Sequence, residues 1–221
     1  MKVIYRLCLL LILAGCSSSP LQHLESKDGF AVLPLRNPVE QVADFAGGCF
    51  WAMQECMLEL KGVHTVVSGY AGGHTQDPDY DSVLSKRTGH AESVRVYYDP
   101  KVISYEKLVE AFLYAHDPTQ IDGQGPDIGS DYRSIAFYRN KQEYGTILKV
   151  IDRVSRGARY PEPIVTELLP VGVFYPAEAE HQDYYAKNPW SGYIRNVSRP
   201  KVLKLRKTMP ALIKPEYLEG S

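Results

Sequence analysis

QVADFAGGCFWAMQECMLELK (residues 41–61) reads as a strand, a turn and a helix in one short run. Residues 41–46 form the strand candidate. Gly47 and Gly48 permit a tight turn and leave the approach to the next side chain open. From residue 50 to 61 the apolar positions take helical spacing, with Met53, Met57 and Leu60 on one face. Cys49 therefore stands where a strand ends and a helix begins, and Cys56 follows further along the same helix.

The alternation continues outward from this unit. Residues 63–70, rich in Val and Thr, read as a strand, and residues 92–98 as another. Ser104 caps a helix over 104–116, with Glu106 favourable in its first turn. Residues 134–138 form a strand, and Asn140 with Glu143 opens a helix that runs through 156. A strand over 164–168 and helical stretches over 177–187 and 200–213 complete the pattern. Long polar loops lie at 69–81 and 117–131. The order strand, helix, strand, strand, helix, strand, then helix and strand matches the split βαβ arrangement. The expected fold is α+β, a two-layer sandwich with a ferredoxin-like core, helices on one face of a mixed sheet, and further C-terminal helical segments. One domain is expected over 39–213, with a tail at 214–221 and no internal repeat.

The first residues stand apart. Lys2 and Arg6 precede the apolar run 7–13, and Ala-Gly-Cys follows. This is a secretory signal pattern, too short to span a bilayer as a mature helix. Leu-Ala-Gly-Cys at 13–16 resembles the bacterial lipoprotein box. That resemblance implies cleavage of 1–15, a lipid on Cys16, a tethering linker over 16–38, and an exported chain anchored at the periplasmic face of a membrane, with Ser17 resembling outer-membrane-directed lipoproteins. Of the four cysteines, only Cys49 and Cys56 then remain as thiols.

The 221 residues suffice for one domain with a real core, and 44% hydrophobic content with 23% charged residues reads as globular. A net charge of −1 supplies no strong field for nucleic acid, and no nucleic-acid motif is present. His74, His90, His116 and His181 are scattered without metal-ligand spacing, so no metal is expected. No nucleotide-binding glycine fingerprint follows a strand. The basic residues Arg199, Lys201, Lys204, Arg206, Lys207 and Lys214 read as the solvated face of a helix.

Chemistry concentrates around Cys49. Free N–H groups and the macrodipole at a helix start favour the thiolate, which is the nucleophilic form. The alternative is a small buried hydrophobe. Glu92 shares a strand face with Val94 and Val96, which raises a carboxyl's affinity for its proton and lets it serve as an acid. An exposed strand end with a solvated Glu92 is the competing reading. Phe50 and Trp51 diverge by about 100° on a helix, so one or both line a cleft beside the sulfur. Tyr80, Asp127 and Tyr132 occupy long loops, where functional groups concentrate. Cys49 with His90 or His181 would instead make a cysteine hydrolase, and an aromatic cleft on a tether would hold a partner peptide.

The blocks GGCFW (47–51), GYAGG (69–73), TGHAE (88–92), VRVYYDP (94–100), HDPTQ (116–120), QGPDIGSDYRS (124–134) and AEAEHQDYY (177–185) together resemble the A-type peptide-methionine sulfoxide reductases. The resemblance covers residues 42–190. It implies reduction of the S epimer of methionine sulfoxide, free or in proteins, with no bound cofactor, a thioredoxin-like dithiol as final donor, and a monomeric chain. By residue match, Cys49 is the nucleophile and Glu92 the acid that protonates the sulfoxide oxygen. Tyr80 and Tyr132 hydrogen-bond that oxygen, Asp127 orders the site through water, and Phe50 and Trp51 form the pocket for the S-methyl group. Many members of that family carry a resolving cysteine in a C-terminal tail, and this chain has no cysteine after Cys56. Cys56 is the candidate resolving thiol. The helical rise separates it from Cys49 by on the order of 10 Å between Cα atoms, against about 7 Å for a disulfide, so the pairing requires the first turns to unwind. Direct reduction of Cys49 by an external thiol is the other route.

Overall fold

Strand β1 (Gln41–Gly47) enters the middle of a six-stranded sheet in a computed structural model that describes residues 21–22 and 24–218. The signal segment, Cys16 and residues 219–221 lie outside the described residues. Helix α1 (Phe50–Leu58) leads to β2 (Val63–Ala71), then the short α2 (Tyr80–Leu84) and β3 (Ala91–Tyr98). Helix α3 (Tyr105–Ala115), β4 (Ser134–Tyr138), α4 (Lys141–Arg156), β5 (Glu167–Pro170) and β6 (Tyr175–Pro176) follow. The chain closes with α5 (Tyr184–Lys187) and α6 (Arg199–Thr208). The sheet order is β6-β2-β3-β1-β4-β5, antiparallel throughout except for the parallel pair β4–β5. The inner strands β2-β3-β1-β4 and the helices α1 and α3 are the split βαβ core, so the fold is α+β with a mixed sheet, as the sequence pattern indicates.

Helices cover one face. Phe45 of β1 stacks on Phe112 of α3 with ring centroids 4.8 Å apart, and Phe50, Met57, Leu108 and Leu113 are fully buried around them. Each such side chain contributes roughly 1.5–3 kcal/mol by leaving water. The opposite face is covered as well. Val67, Tyr97, Ile135 and Phe137 pack against Leu24, Ala31, Leu33 and Phe174. Residues Ser26–Lys27 and Phe30–Ala31 form a small hairpin, and the Gln22 side chain bonds both the N–H and the carbonyl of Val66. The packed chain thus begins before residue 39, inside the stretch that composition alone marks as linker.

Three expected elements differ. The strand expected over 164–168 sits at Glu167–Pro170, where parallel pairing with β4 sets the register. The helical stretch over 177–187 is a 3-10 turn, Ala179–His181, and the short α5, separated by Asp183 in the left-handed region (φ 55°). The last helix stops at Thr208 rather than 213, since Pro210 lacks the N–H that would continue it. Of the basic residues expected on a solvated face, Arg199 and Lys207 are exposed, but the others turn toward protein partners. Arg206 grips the buried Glu59 through two hydrogen bonds of 2.8 and 2.6 Å. Lys204 Nζ donates to the His116 carbonyl and Lys214 Nζ to that of Leu58. Both carbonyls end helices, α3 and α1, where unpaired C=O groups and the macrodipole attract cations.

Candidate active site

The turn between β1 and α1 is closed by sterics as well as by backbone freedom. A Cβ on Gly47 would lie 2.6 Å from Met53 Cε and 2.9 Å from Phe112 Cε2. Gly48 has φ +82°, and a Cβ there would lie 2.5 Å from the Gln124 side chain. Only glycines fit, and they deliver Cys49 to the N-cap of α1, where it is 5% exposed.

The first free N–H of the helix is taken by a carboxyl group from the sheet. Phe50 N donates to Glu92 Oε2 at 2.9 Å. Glu92 is 2% exposed, and burial pushes its carboxyl up to about 8, with Asp131 and Asp127 adding to the rise and the Phe50 N–H opposing it. It therefore holds a proton at neutral pH. Of the two readings of Glu92, the buried acid is the one the fold builds.

Cys49 departs from the expectation for a helix start. Burial raises its thiol pKa far above the ordinary range, and the Glu92 charge raises it further. The Trp51 N–H and the Tyr193 hydroxyl act in the lowering direction but are outweighed. The resting group is a thiol, because a dry site penalises the thiolate more than one helix turn stabilises it.

Tyr80 and Tyr132 converge on the same pair. Both phenols are pushed up by burial and then by the Glu92 charge, and Cys49 acts on both. They remain protonated and able to donate. Tyr80 is fixed through its own N–H, which donates to Glu178 Oε1 at 2.8 Å, while Glu178 Oε2 accepts from Tyr70 at 2.7 Å. Phe50 is fully buried against Tyr70, Tyr80 and His181, with centroids 5.8, 6.4 and 5.3 Å away. Trp51 stacks on Tyr184 at 3.7 Å and meets Tyr193 edge-on at 5.5 Å. Its indole N–H donates to His181 Nδ1 at 3.3 Å, so that nitrogen is the acceptor.

Asp127 has a direct protein partner: Tyr193 donates to its Oδ2 at 2.6 Å, and Lys201 Nζ stands 3.8 Å from the same oxygen. The chain Lys201, Asp127, Tyr193, Cys49 was not legible in the sequence. Tyr193 is one of 16 tyrosines and lies beyond the recognisable blocks. Glu178 and His181 fall inside one of those blocks, but their spacing carries no chemistry by itself. His90 turns both ring nitrogens to backbone, at Gly73 N and Thr75 O, and His181 Nδ1 is occupied by Trp51. Neither is set up as the base of a cysteine hydrolase. Cys56 lies deeper in α1, 1% exposed within the core, and both thiols are free.

The chain matches the family model "Peptide methionine sulfoxide reductase" over residues 41–212. It is similar to the peptide methionine sulfoxide reductase MsrA of Natronomonas pharaonis, 46% identical over 74% of this chain and 92% of the relative. The corresponding protein of Thermus thermophilus is 44% identical over 80% of this chain and 99% of its own length. Among solved structures, Mxr1 of Saccharomyces cerevisiae in its reduced form superposes with a TM-score of 0.67 at 31% identity, covering 71% of this chain and 91% of that one. Methionine sulfoxide reductase A of Corynebacterium diphtheriae gives a TM-score of 0.63 at 32% identity, covering 70% and 78%. With a buried thiol, a protonated carboxyl and two phenols gathered at one helix start, the chain belongs to the peptide methionine sulfoxide reductase family.

Proposed function

We propose that the chain reduces the S epimer of methionine sulfoxide, free or within proteins, with Cys49 as nucleophile and Glu92 as acid. The observation that carries this reading is the Glu92 carboxyl, bonded to the Phe50 N–H beside Cys49 and protonated at neutral pH. A sulfoxide sulfur is a poor electrophile until its oxygen is protonated or hydrogen-bonded. Glu92 supplies the proton, and the Tyr80 and Tyr132 hydroxyls stabilise the developing charge. The Cys49 sulfur bonds to the sulfoxide sulfur, and the thiol proton returns to Glu92 through the site. The oxygen ends on Cys49, methionine departs as the thioether, and Cys49 is left as a sulfenic acid. Phe50 and Trp51 offer the apolar wall for the S-methyl group, and Asp127, held by Tyr193, orders the far side.

A dithiol of the thioredoxin-like class then restores the enzyme: two thiols supply two electrons, the oxygen leaves as water, and the dithiol becomes a disulfide. Attack by the reductant on Cys49 itself suits the resting geometry. Resolution by Cys56 requires α1 to open as far as its core-facing turn. The same reading places a lipid on Cys16, with residues 1–15 removed, the chain exported and anchored at a bacterial membrane, and the enzyme acting as a monomer without a bound cofactor. Separated sulfoxide epimers assayed with dithiothreitol test the reaction. Reduction of the S epimer alone, abolished in Cys49→Ser, is the expected result. Equal turnover of both epimers, or activity retained by Cys49→Ser, would overturn it.

A further inference from the structure

Tyr193 and Lys201 stand eight positions apart, yet both reach one oxygen atom. Tyr193 donates to Asp127 Oδ2 at 2.6 Å, and Lys201 Nζ stands 3.8 Å from that oxygen. An unbroken α-helix would turn two such positions about 80° away from each other. Here the helix is interrupted. Ile194–Ser198 form a π-helical turn that runs directly into α6. A π turn holds one residue more than an α turn, so the two positions fall back to within about 20° of each other. Turns of this kind recur at functional sites. Asp127 is brought from the other side by the hairpin of Gly123–Gln124 with Asp127–Ile128. Gln124 anchors that hairpin: its amide accepts from the Asp117 N–H at 3.0 Å and donates to the Asp117 carbonyl at 2.9 Å. The Lys201 ammonium also lies over the turn before Cys49, since a Cβ on Gly48 would be 3.7 Å from Nζ.

We propose that Lys201 is a positioning residue of the active site: its ammonium holds the Asp127 carboxylate in place, and Asp127 in turn holds the Tyr193 ring against Trp51. This rests on the Trp51 side receiving the methyl group of the sulfoxide, as in the proposed reaction. The two partners of Asp127 act differently. Tyr193 gives a short, directed hydrogen bond. Lys201 is too distant for one, and its buried Nζ donates to no acceptor among the described residues. It acts by charge, which needs no alignment. The Lys201 and Asp127 side chains are 15% and 13% exposed, so water and salt screen the attraction little. Without the cation, the carboxylate has a way out: the hairpin that carries it is open to water, with Ile128 63% exposed. A carboxylate that turns outward takes the acceptor of Tyr193 with it. Tyr193 meets Trp51 edge-on at 5.5 Å, and Trp51 stacks on Tyr184 at 3.7 Å, so the aromatic wall then loses its fixed edge.

The test is the steady-state kinetics of Lys201→Met with methionine-S-sulfoxide and dithiothreitol. Methionine keeps most of the apolar stem and removes the charge. A loosened wall weakens ground state and transition state alike, so KM should rise about tenfold while kcat stays within about threefold of wild type. The same substitution is made in Tyr193→Phe, which has already lost the bond to Asp127. There it should cost less than about twofold further, because the two side chains act through one oxygen. An unchanged KM in Lys201→Met, or an equal loss in both backgrounds, would overturn the proposal. A wild type inactive on the S sulfoxide would instead refute the proposed reaction, so the two failures are told apart. Should Lys201→Met fail to fold, lysine Nζ NMR of the wild type and of Asp127→Asn decides. A solvent-shielded ammonium signal that moves in Asp127→Asn supports the pairing; signals unchanged between the two proteins refute it.

Discussion

Glu92→Gln separates chemistry from stability in one variant. The amide keeps the shape of the side chain and an oxygen for the Phe50 N–H, now 2.9 Å from Glu92 Oε2, but cannot give up a proton. General acids of this kind contribute about 10²–10⁴ in rate, and the variant should lose kcat/KM by that factor. Stability should move the other way at high pH. The carboxyl is raised from 4.5 to about 8 in the folded protein, so folding keeps a proton that the unfolded chain releases. A raised folded-state pKa contributes stability that is complete below about 4.5 and lost as pH rises through about 8. The rise corresponds to at most about 5 kcal/mol. Glutamine has no charge to bury and escapes that loss. It adds a constant cost of about 1–3 kcal/mol for its own amide, so the difference between the two proteins must be followed across pH. Urea unfolding near pH 5 and near pH 9 reads it directly. The variant should gain on wild type by a few kcal/mol between those pH values while remaining nearly inactive at both. A stability difference that does not change with pH, or activity close to wild type, would refute the reasoning.

Other perturbations probe other parts of the account. Tyr193→Phe removes the hydroxyl that favours the Cys49 thiolate and fixes Asp127, so alkylation of Cys49 should shift to higher pH and kcat/KM fall about tenfold to a hundredfold. Arg206→Met leaves Glu59 buried without its bidentate partner and should cost about 3–5 kcal/mol in chemical unfolding, whereas a solvated helix face would lose less than about 1 kcal/mol. Cys56→Ser should leave turnover with dithiothreitol within about twofold of wild type, because Cys56 is buried away from the sulfenic acid. Intact mass after one sulfoxide equivalent without reductant checks the last point: a Cys49–Cys56 disulfide that the variant cannot form would assign resolution to Cys56 instead.

What the sequence made legible follows from which signals are local. The glycine pair, the strand before it and the helix after it are short-range features, and their order dictates the split βαβ core. Glu92 could be placed on an apolar face by alternation alone. The thiol's direction could not, because it depends on how much of the chain closes over Cys49: the helix start favours the thiolate, and burial with Glu92 outweighs it. Tyr193 was invisible for the same reason. It matters only through a partner distant in sequence, Asp127. The inward turn of Lys204, Arg206 and Lys214 likewise needs the ends of α1 and α3 in place, and no periodicity in the last helix records them.

The central claim is that Cys49 takes the oxygen from the sulfoxide. Mixing the protein with methionine-S-sulfoxide in the absence of any reductant tests it most directly. The account predicts one methionine released per chain in a single burst, with the mass of one oxygen gained at Cys49 or, if Cys56 resolves, the mass of a Cys49–Cys56 disulfide. Cys49→Ser should give neither product. Methionine released by Cys49→Ser, or released by the wild type without any change at Cys49, would contradict it.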